Sequence, residues 1–276
     1  MIEAHEDQAA GLRRLFRCAP PTVVALYAAG RGRATIAVQA AYRFAGRANR
    51  VLILDEAAGE AALAAPLGVA PGVDLLSVLS GRTRPQELLQ PVPGLVGRVP
   101  VAAAALALPL LDHERRGVLI DALGELHRRA GFVLIHASGE GAADPSPLIF
   151  ATPRHLVVAE ATRSGATEAY RIIKHLARAG AGALHVAVSG ARDRAEAQAF
   201  FDALARLVTQ HVGVPLTWLG EMEHDELAEA LTGKSVPRYS REAERAFLRR
   251  LSMMASSPGG GTAFASDRAQ GGRKAM

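Results

Sequence analysis

Residues 23–55 have the order of a phosphate-binding strand, loop, helix and strand, because the apolar run VVALYA is followed by AAGRGRAT. A loop binds phosphate when glycines let backbone N–H groups face the anion, a lysine bridges the terminal phosphates and a Ser/Thr hydroxyl holds magnesium. Here Gly30 and Gly32 keep the bendable backbone and Arg33 supplies a cation, but Ala34 has no hydroxyl. We expect a loop shaped for phosphate that lacks the side chains that hydrolyse ATP.

The remaining polar groups of this loop depart from a working site in their shape and position. Arg33 carries a planar guanidinium that is larger than the point-like ammonium of a lysine. Thr35 comes one position late and should point about 100 degrees around the helix from the direction that magnesium needs. Taken alone, the loop is equally open to another interpretation, a glycine-containing strand-to-helix turn that binds no ligand.

The apolar runs around this loop predict an α/β fold with a doubly wound, mostly parallel sheet and helices on both faces, as in P-loop NTPases. Continuous apolar runs are typical of buried parallel strands, and seven are present: VVALYA, VLILD, VGRVPVA, FVLIHA, HLVVAEA, LHVAVS and PLTWLG. Segments long enough for crossover helices separate them, namely residues 34–46, 114–130, 165–179 and 194–212. Ligands of such sheets lie beyond the carboxyl ends of the strands, here after Tyr27, Leu54, Ile135, Ala159 and Val188.

Composition and charge restrict the function classes. The 276 residues are 49% hydrophobic and carry a formal net charge of +5 that is dispersed along the chain, so we expect no direct nucleic-acid binding. Cys18 is the single cysteine, which excludes an internal disulfide and a multi-cysteine metal site. The N-terminus is acidic and polar and no long apolar stretch occurs, so we expect a cytoplasmic protein.

We expect three parts of the chain that differ in how well ordered they are. Residues 1–20 are predicted to form a helix and linker, because Ala9, Leu12, Leu15 and Phe16 share one face. Residues 21–254 contain all the predicted strands and are expected to form the α/β domain. Residues 255–276 are rich in Gly and Ser without periodicity, which predicts a disordered tail.

The sequence around the loop resembles the MinD/ParA family of deviant Walker A ATPases, whose loop reads KGGVGKT. Ala28 stands at the signature lysine of that family and Arg33 at its P-loop lysine. VLILDEAAGEAALAAPLG, residues 51–68, resembles the family's VLLLDADLGLANVDVLLG, with Asp55 retained and Ala57 at the second Asp. The resemblance implies an ATP site in which the signature lysine and the second carboxylate have been replaced.

Further segments extend the resemblance over residues 22–250. FVLIHASGEG resembles YILIDTGAG, with His136 at the Asp that secures magnesium in the family, and Ser189 stands where many relatives have an Asn that reads adenine. The resemblance therefore implies a vestigial nucleotide site of Gly30, Gly32, Arg33, Thr35 and Asp55. ATP or ADP stays open as a ligand, magnesium is not expected, and no catalytic residue or metal site is assigned.

The N-terminal DQAAGLRRL resembles the DQAxxLRxL segment of the flagellar-number regulators FlhG (FleN) within this family. There the segment is a helix that docks on the SRP-type GTPase FlhF and stimulates GTP hydrolysis. The resemblance thus implies an FlhF-type GTPase partner and the partner-binding residues Asp7, Gln8, Leu12, Arg13 and Leu15. The open alternative is that residues 3–17 pack against the domain. A flagellar transcription regulator is a further partner known for the wider family.

The last predicted helix, residues 241–254, places Phe247, Leu251 and Met254 on one side and arginines around the rest. Such a helix can make a peripheral membrane contact through the three apolar side chains, as C-terminal helices of MinD relatives do. It can equally pack its apolar side on the domain. Both interpretations stay open from the sequence.

Together these features predict a degenerate FlhG-like regulator of flagellar number or placement, a pseudo-ATPase that binds an FlhF-type GTPase. The alternative is an active MinD/ParA-like ATPase that uses Arg33, Asp55 and Thr35 in a shifted geometry and dimerises on ATP. The scattered histidines form no metal-binding spacing. Glu140, Asp144 and Glu160 lie near strand ends, and no chemistry is assigned to them.

Overall fold

The computed structural model describes residues 21–46, 49–137, 145–232 and 239–254. Its sheet has seven strands in the order β3-β2-β4-β1-β5-β6-β7, and each pairing between neighbouring strands is parallel. The strands are β1 Thr22–Ala29, β2 Val51–Asp55, β3 Gly97–Pro100, β4 Phe132–His136, β5 Arg154–Glu160, β6 Ala183–Ser189 and β7 Thr217–Glu221. The predicted doubly wound α/β class is confirmed.

The central strands are buried throughout because helices cover both of their faces. Every residue of β1, β2 and β4 is buried, as continuous apolar runs require. The strands extend slightly further than the sequence predicted. β1 ends at Ala29, two residues after the expected Tyr27, and β2 ends at Asp55, one residue late. The candidate chemistry therefore begins directly at the strand ends.

Eight α-helices occur among the described residues: α1 Arg33–Ala45, α2 Ala102–Ala107, α3 His113–His127, α4 Pro147–Ala151, α5 Arg163–Arg178, α6 Arg194–His211, α7 Leu227–Thr232 and α8 Tyr239–Met254. The four predicted crossover helices correspond to α1, α3, α5 and α6. Polar side chains at the preceding residue accept a backbone N–H and so begin three of these helices, at Asp112, Thr162 and Asp193. Short 3-10 turns interrupt the connections, at Gly59–Ala61, Leu75–Ser80, Pro85–Leu88 and Leu108–Leu110.

Two apolar layers hold the sheet between helices. One face packs on α2, α3, α4, α5, α6 and α8, and the other packs on α1 and α7. Small and aliphatic side chains dominate both layers, with Phe44 of α1 and Phe247 of α8 the largest fully buried side chains. This arrangement places the loop between β1 and α1 at the carboxyl edge of the sheet, close to the start of α5.

The position of α8 decides between the two interpretations of the C-terminal helix. Phe247 and Leu251 are both 0% exposed, and the Phe247 ring stacks on His127 with centroids 5.7 Å apart. The helix therefore packs its apolar side on the domain. The alternative of a membrane contact through Phe247 and Leu251 is wrong for these two residues, because buried side chains cannot enter a bilayer. The side chain of Met254 lies outside the described residues. No helix in the described ranges has the length and apolar content needed to cross a membrane.

Candidate functional site

The loop between β1 and α1 takes its shape from two glycines. Gly30 has a φ of +133° and Gly32 a φ of +72°, which are backbone conformations that other residues rarely adopt. Gly32 precedes α1, where its carbonyl accepts the N–H of Ile36 at 3.1 Å, and no side chain of the described residues caps this end of the helix. The backbone N–H groups of the loop are therefore available to a partner outside α1.

Two glutamate carboxylates take up those N–H groups. Glu168 of α5 accepts the N–H of Gly30 at 2.8 Å through Oε2, and its Oε1 accepts Nη1 of Arg33 at 3.1 Å. Glu160, the last residue of β5, accepts the N–H of Arg31 at 2.8 Å. Bonds from N–H donors to ionised carboxylates are shorter and stronger than neutral ones. The loop thus binds anions, and the anions are side chains of its own chain.

An open cleft of about 840 Å³ lies against the same residues. Guanidinium and hydroxyl groups dominate its wall, which is formed by Arg31, Glu160, Thr162, Arg163, Ser164, Thr167, Glu168 and Arg171. Because both glutamates point their oxygens at the loop, the cleft presents mainly cationic side chains to solvent. Its charge suits an anionic ligand.

Asp55 lies at the end of β2 in a closed network of hydrogen bonds. It is 0% exposed, and Arg98 of β3 binds its Oδ2 through Nε at 2.8 Å and Nη2 at 2.7 Å. His136 Nδ1 is 2.8 Å from Oδ1, and the Leu63 N–H donates to Oδ2 at 2.7 Å. Burial acts to raise the pKa of Asp55, but His136, the Leu63 N–H and Arg98 together hold that pKa below its usual value. Both carboxylate oxygens are therefore committed to protein donors.

The neighbouring Glu56 is a carboxyl group with an unusual environment. Burial raises the pKa of Glu56 to about 7. A hydrogen bond with Ser146 acts to lower this pKa, and the charge of Asp55 acts to raise it. Its Oε1 is buried and has no hydrogen-bond partner among the described residues. Burial likewise raises the pKa of Tyr27, and the charge of Glu56 adds to that shift. Glu56 can therefore change its protonation near neutral pH.

Ser189 ends β6 at the same edge of the sheet. It is 4% exposed, and its hydroxyl has no hydrogen-bond partner within the described part of the chain. Its carbonyl accepts the N–H of Ala161 at 2.8 Å, which ties the ends of β5 and β6 together. No group of three or more His, Cys, Asp or Glu in the described ranges is arranged to hold a metal ion.

Comparisons with known proteins give similarity of fold only. No protein-family profile and no curated protein sequence matches the chain. Solved structures do match it. The MinD cell division protein of Aquifex aeolicus is 18% identical over 86% of this chain and 99% of that chain, with a TM-score of 0.47. At this identity and score, the similarity carries no conclusion about activity or ligand.

Two other solved structures match to a similar degree. A ParA family ATPase from Chlorobium tepidum is 16% identical over 85% of this chain and 98% of its own, with a TM-score of 0.46. Cobyrinic acid a,c-diamide synthase from Mycobacterium smegmatis, with bound ADP and magnesium, is 19% identical over 86% and 98%, with a TM-score of 0.48. The α/β class rests on the sheet of this chain itself.

The structure brings part of the predicted nucleotide site together. Gly30, Gly32 and Arg33 share the loop, as the sequence indicated. Thr35 lies exposed on the first turn of α1, whereas Asp55 is buried among its own partners. The predicted partner-binding residues lie outside the described residues: Asp7, Gln8, Leu12, Arg13 and Leu15. Their role stays a prediction.

Three residues of the site had no role predicted from the sequence: Glu160, Glu168 and Arg98. A signal for Glu160 was present, because a carboxylate at the end of β5 must lie next to the loop that follows β1 when the two strands are neighbours. A signal for Arg98 was also present, because it is a charge inside the apolar run VGRVPVA. Glu168 is one of several polar residues on α5, and its sequence position alone carries no such signal.

Proposed function

We propose that this chain is a pseudo-ATPase of the MinD/ParA type, similar to FlhG, that regulates flagellar number or placement without hydrolysing ATP. It acts by binding an FlhF-type SRP GTPase through the N-terminal DQAAGLRRL segment. The α/β body serves as the scaffold that carries this segment. A flagellar transcription regulator is a further candidate partner, with no residue of this chain assigned to it.

The proposal rests on one observation: two carboxylates of the chain already bind the N–H groups of the loop. The Gly30 and Arg31 N–H groups, which would face a phosphate, donate to Glu168 and Glu160. Arg33, which stands at the P-loop lysine of the family, binds Glu168 at 3.1 Å. A nucleotide phosphate would have to displace two anions from the donors that it needs. This arrangement does not fit a bound nucleotide.

The surroundings of Asp55 support the same conclusion for magnesium. A magnesium site needs carboxylate oxygens that are open to water or to the ion, and both oxygens of Asp55 bind Arg98, His136 and backbone N–H groups. Ala34 offers no hydroxyl at the start of α1. The side chains present therefore do not fit a magnesium–nucleotide complex.

The partner side of the proposal rests on the resemblance of residues 7–15 to the activator helix of flagellar-number regulators. The segment combines an acidic and an amide side chain, Asp7 and Gln8, with two apolar anchors, Leu12 and Leu15, and a cation, Arg13. Peptides of this kind bind a groove through the apolar anchors and gain specificity from the polar groups.

The experiment measures GTP hydrolysis by an FlhF-type GTPase with a peptide of residues 1–20 and with the full chain. We expect stimulation by both, strong loss for Leu12→Ala/Leu15→Ala, and no change for the control Glu3→Gln, which lies outside the resembling segment. Absence of binding and of stimulation by the wild-type peptide would remove the partner from the proposal.

A second measurement tests the missing ATPase activity on the full chain with magnesium and ATP. We expect no turnover above the buffer rate. Turnover that disappears in Arg33→Ala would overturn the proposal and favour the active ATPase with a shifted geometry. Because peptide and ATP assays are independent, the regulatory and the non-enzymatic halves of the proposal can fail separately.

A further inference from the structure

Two carboxylates of the chain close the loop that follows β1. Glu168 forms a fork, with Oε2 2.8 Å from the Gly30 nitrogen and Oε1 3.1 Å from Arg33 Nη1. Glu160 Oε2 lies 2.8 Å from the Arg31 nitrogen. Successive backbone N–H groups in a turn can form a concave site that binds anions. Here both anions come from β5 and α5, more than one hundred residues away.

The packing around Glu160 leaves no space between its carboxylate and the loop. A Cβ at Gly30 would lie 2.4 Å from Glu160 Oε2, closer than real Cβ atoms come to other atoms. On the other side, a Cβ at Gly165 in the first turn of α5 would lie 2.2 Å from the Glu160 carbonyl oxygen. Glu160 can therefore occupy this position only because glycines stand on both sides of it.

Glu168 is held in place in a different way. Its side chain is 22% exposed, and it uses both of its oxygens on the loop. Freely solvated surface glutamates contribute little when they pair, but a carboxylate that binds a backbone N–H and a guanidinium together has fixed geometry. Glu160 and Glu168 thus come from separate elements and converge on three donors of one loop, the Gly30 and Arg31 N–H groups and the Arg33 guanidinium.

From this geometry we infer that Glu160 and Glu168 are internal anions that determine whether the loop accepts an external phosphate group. While both are engaged, they occupy the N–H donors and repel a second anion. Without their charge, Gly30, Arg31 and Arg33 become available to a diphosphate or a triphosphate. The inference deepens the proposed function, since it assigns the loss of phosphate binding to two residues.

The cleft supplies the remaining charge that such an anion needs. Arg31, Arg163 and Arg171 line its wall, and the volume of about 840 Å³ exceeds that of an inorganic diphosphate. Among the described residues that form this wall, none has an aromatic side chain on which a nucleobase could stack. The favoured ligand class is therefore an inorganic polyphosphate or the phosphate part of a nucleotide, and not a nucleic-acid strand.

The test measures binding of sodium pyrophosphate to the full chain by titration calorimetry, at about 0.15 M salt so that distant charges are screened. The variant Glu160→Gln/Glu168→Gln keeps the shape of both side chains and removes their charge. The control Glu125→Gln removes one carboxylate from α3, where Glu125 accepts a hydrogen bond from Gln86. We expect the double variant to bind pyrophosphate at least about tenfold more tightly than the wild type, and the control to match the wild type.

A purely structural role for the two glutamates predicts a different result. The folded double variant would then be less stable but would bind pyrophosphate no more tightly than the wild type, and this outcome would overturn the inference. Wild-type binding as tight as that of the double variant would overturn it as well. ATP turnover and GTPase stimulation by the wild type test the proposed function separately from this inference.

Amide hydrogen exchange provides a measurement that does not depend on the stability of the double variant. The Gly30 and Arg31 amides should be protected in the wild type, because both donate to carboxylates. Glu168→Gln should speed exchange at Gly30 more than at Arg31, and Glu160→Gln should do the reverse. Fast exchange of both amides in the wild type would show that the contacts do not close the loop.

Discussion

Replacing Asp55 by alanine should destabilise the protein strongly, because this carboxylate compensates a buried cation. Arg98 is 3% exposed and binds Asp55 through two nitrogens. Without Asp55, the Arg98 guanidinium keeps the hydrogen bond from Nη1 to Gln90 Oε1 at 2.6 Å, but this amide oxygen carries no charge that compensates the cation. The Leu63 N–H, which donates to Asp55 at 2.7 Å, also loses its acceptor.

The size of the effect follows from the geometry. Removing one member of a buried ion pair costs about 3–5 kcal/mol, since an uncompensated charge is left inside the protein. An unsatisfied buried N–H adds about 1–3 kcal/mol, part of which relaxation recovers. We therefore expect Asp55→Ala to lower the free energy of unfolding by about 4 kcal/mol, which corresponds to a fall in Tm of roughly 10 °C for a domain of this size.

Urea denaturation followed by circular dichroism measures this loss at neutral pH. Asp112→Ala is the control, because Asp112 is an exposed helix cap on α3 whose removal should cost only about 1 kcal/mol. Asp55→Leu/Arg98→Met should recover most of the loss, since an apolar pair of similar volume leaves no charge buried. A loss below about 1 kcal/mol for Asp55→Ala would refute the view that Asp55 is a structural anion.

Three further outcomes are expected. Burial lowers the pKa of His155 and His185 to about 4 in the folded protein, against about 6.5 when unfolded, so the unfolded state binds more protons between these values. The free energy of unfolding should therefore fall as pH decreases from about 6.5 to about 4, by up to about 3 kcal/mol for each histidine, measured as urea midpoints. Phe247→Ala should cost about 3–5 kcal/mol and Met253→Ala, at a 58% exposed position, less than about 0.5 kcal/mol in the same assay. Gly30→Ala should lower the thermal midpoint, because the new Cβ meets Glu160 and the φ of +133° is strained, and an unchanged midpoint would contradict the described loop.

The strands and crossover helices could be predicted because their signals are local. VLILD is apolar without alternation and is β2, buried on both faces. The predicted helix at residues 165–179 corresponds to α5, which begins at Arg163 after the cap Thr162. The two-residue differences at the element ends arise because caps and the last strand residues depend on neighbouring strands, which local patterns do not contain.

The contacts of the site could not be predicted because they join residues far apart in the sequence. Glu168 and Gly30 are 138 residues apart, and they meet because α5 packs against β1 in the folded chain. The C-terminal helix shows a second limit of prediction from the sequence. An amphipathic helix has the same pattern whether its apolar side meets lipid or protein, and only the position of α8 against α3 and α4 places Phe247 in the core.

The central position of β1 has a consequence for how the chain folds. β1 is the first strand of the sheet to be made, yet its two neighbours are β4 and β5, which begin at Phe132 and Arg154. All eight of its residues must stay without their native partners until those strands have been synthesised. Folds that depend on such distant pairings form slowly, and an unpaired apolar strand is prone to aggregate. During refolding, too, β1 stays unpaired until β4 and β5 reach it. The yield of refolded protein should therefore depend on protein concentration and rise on dilution.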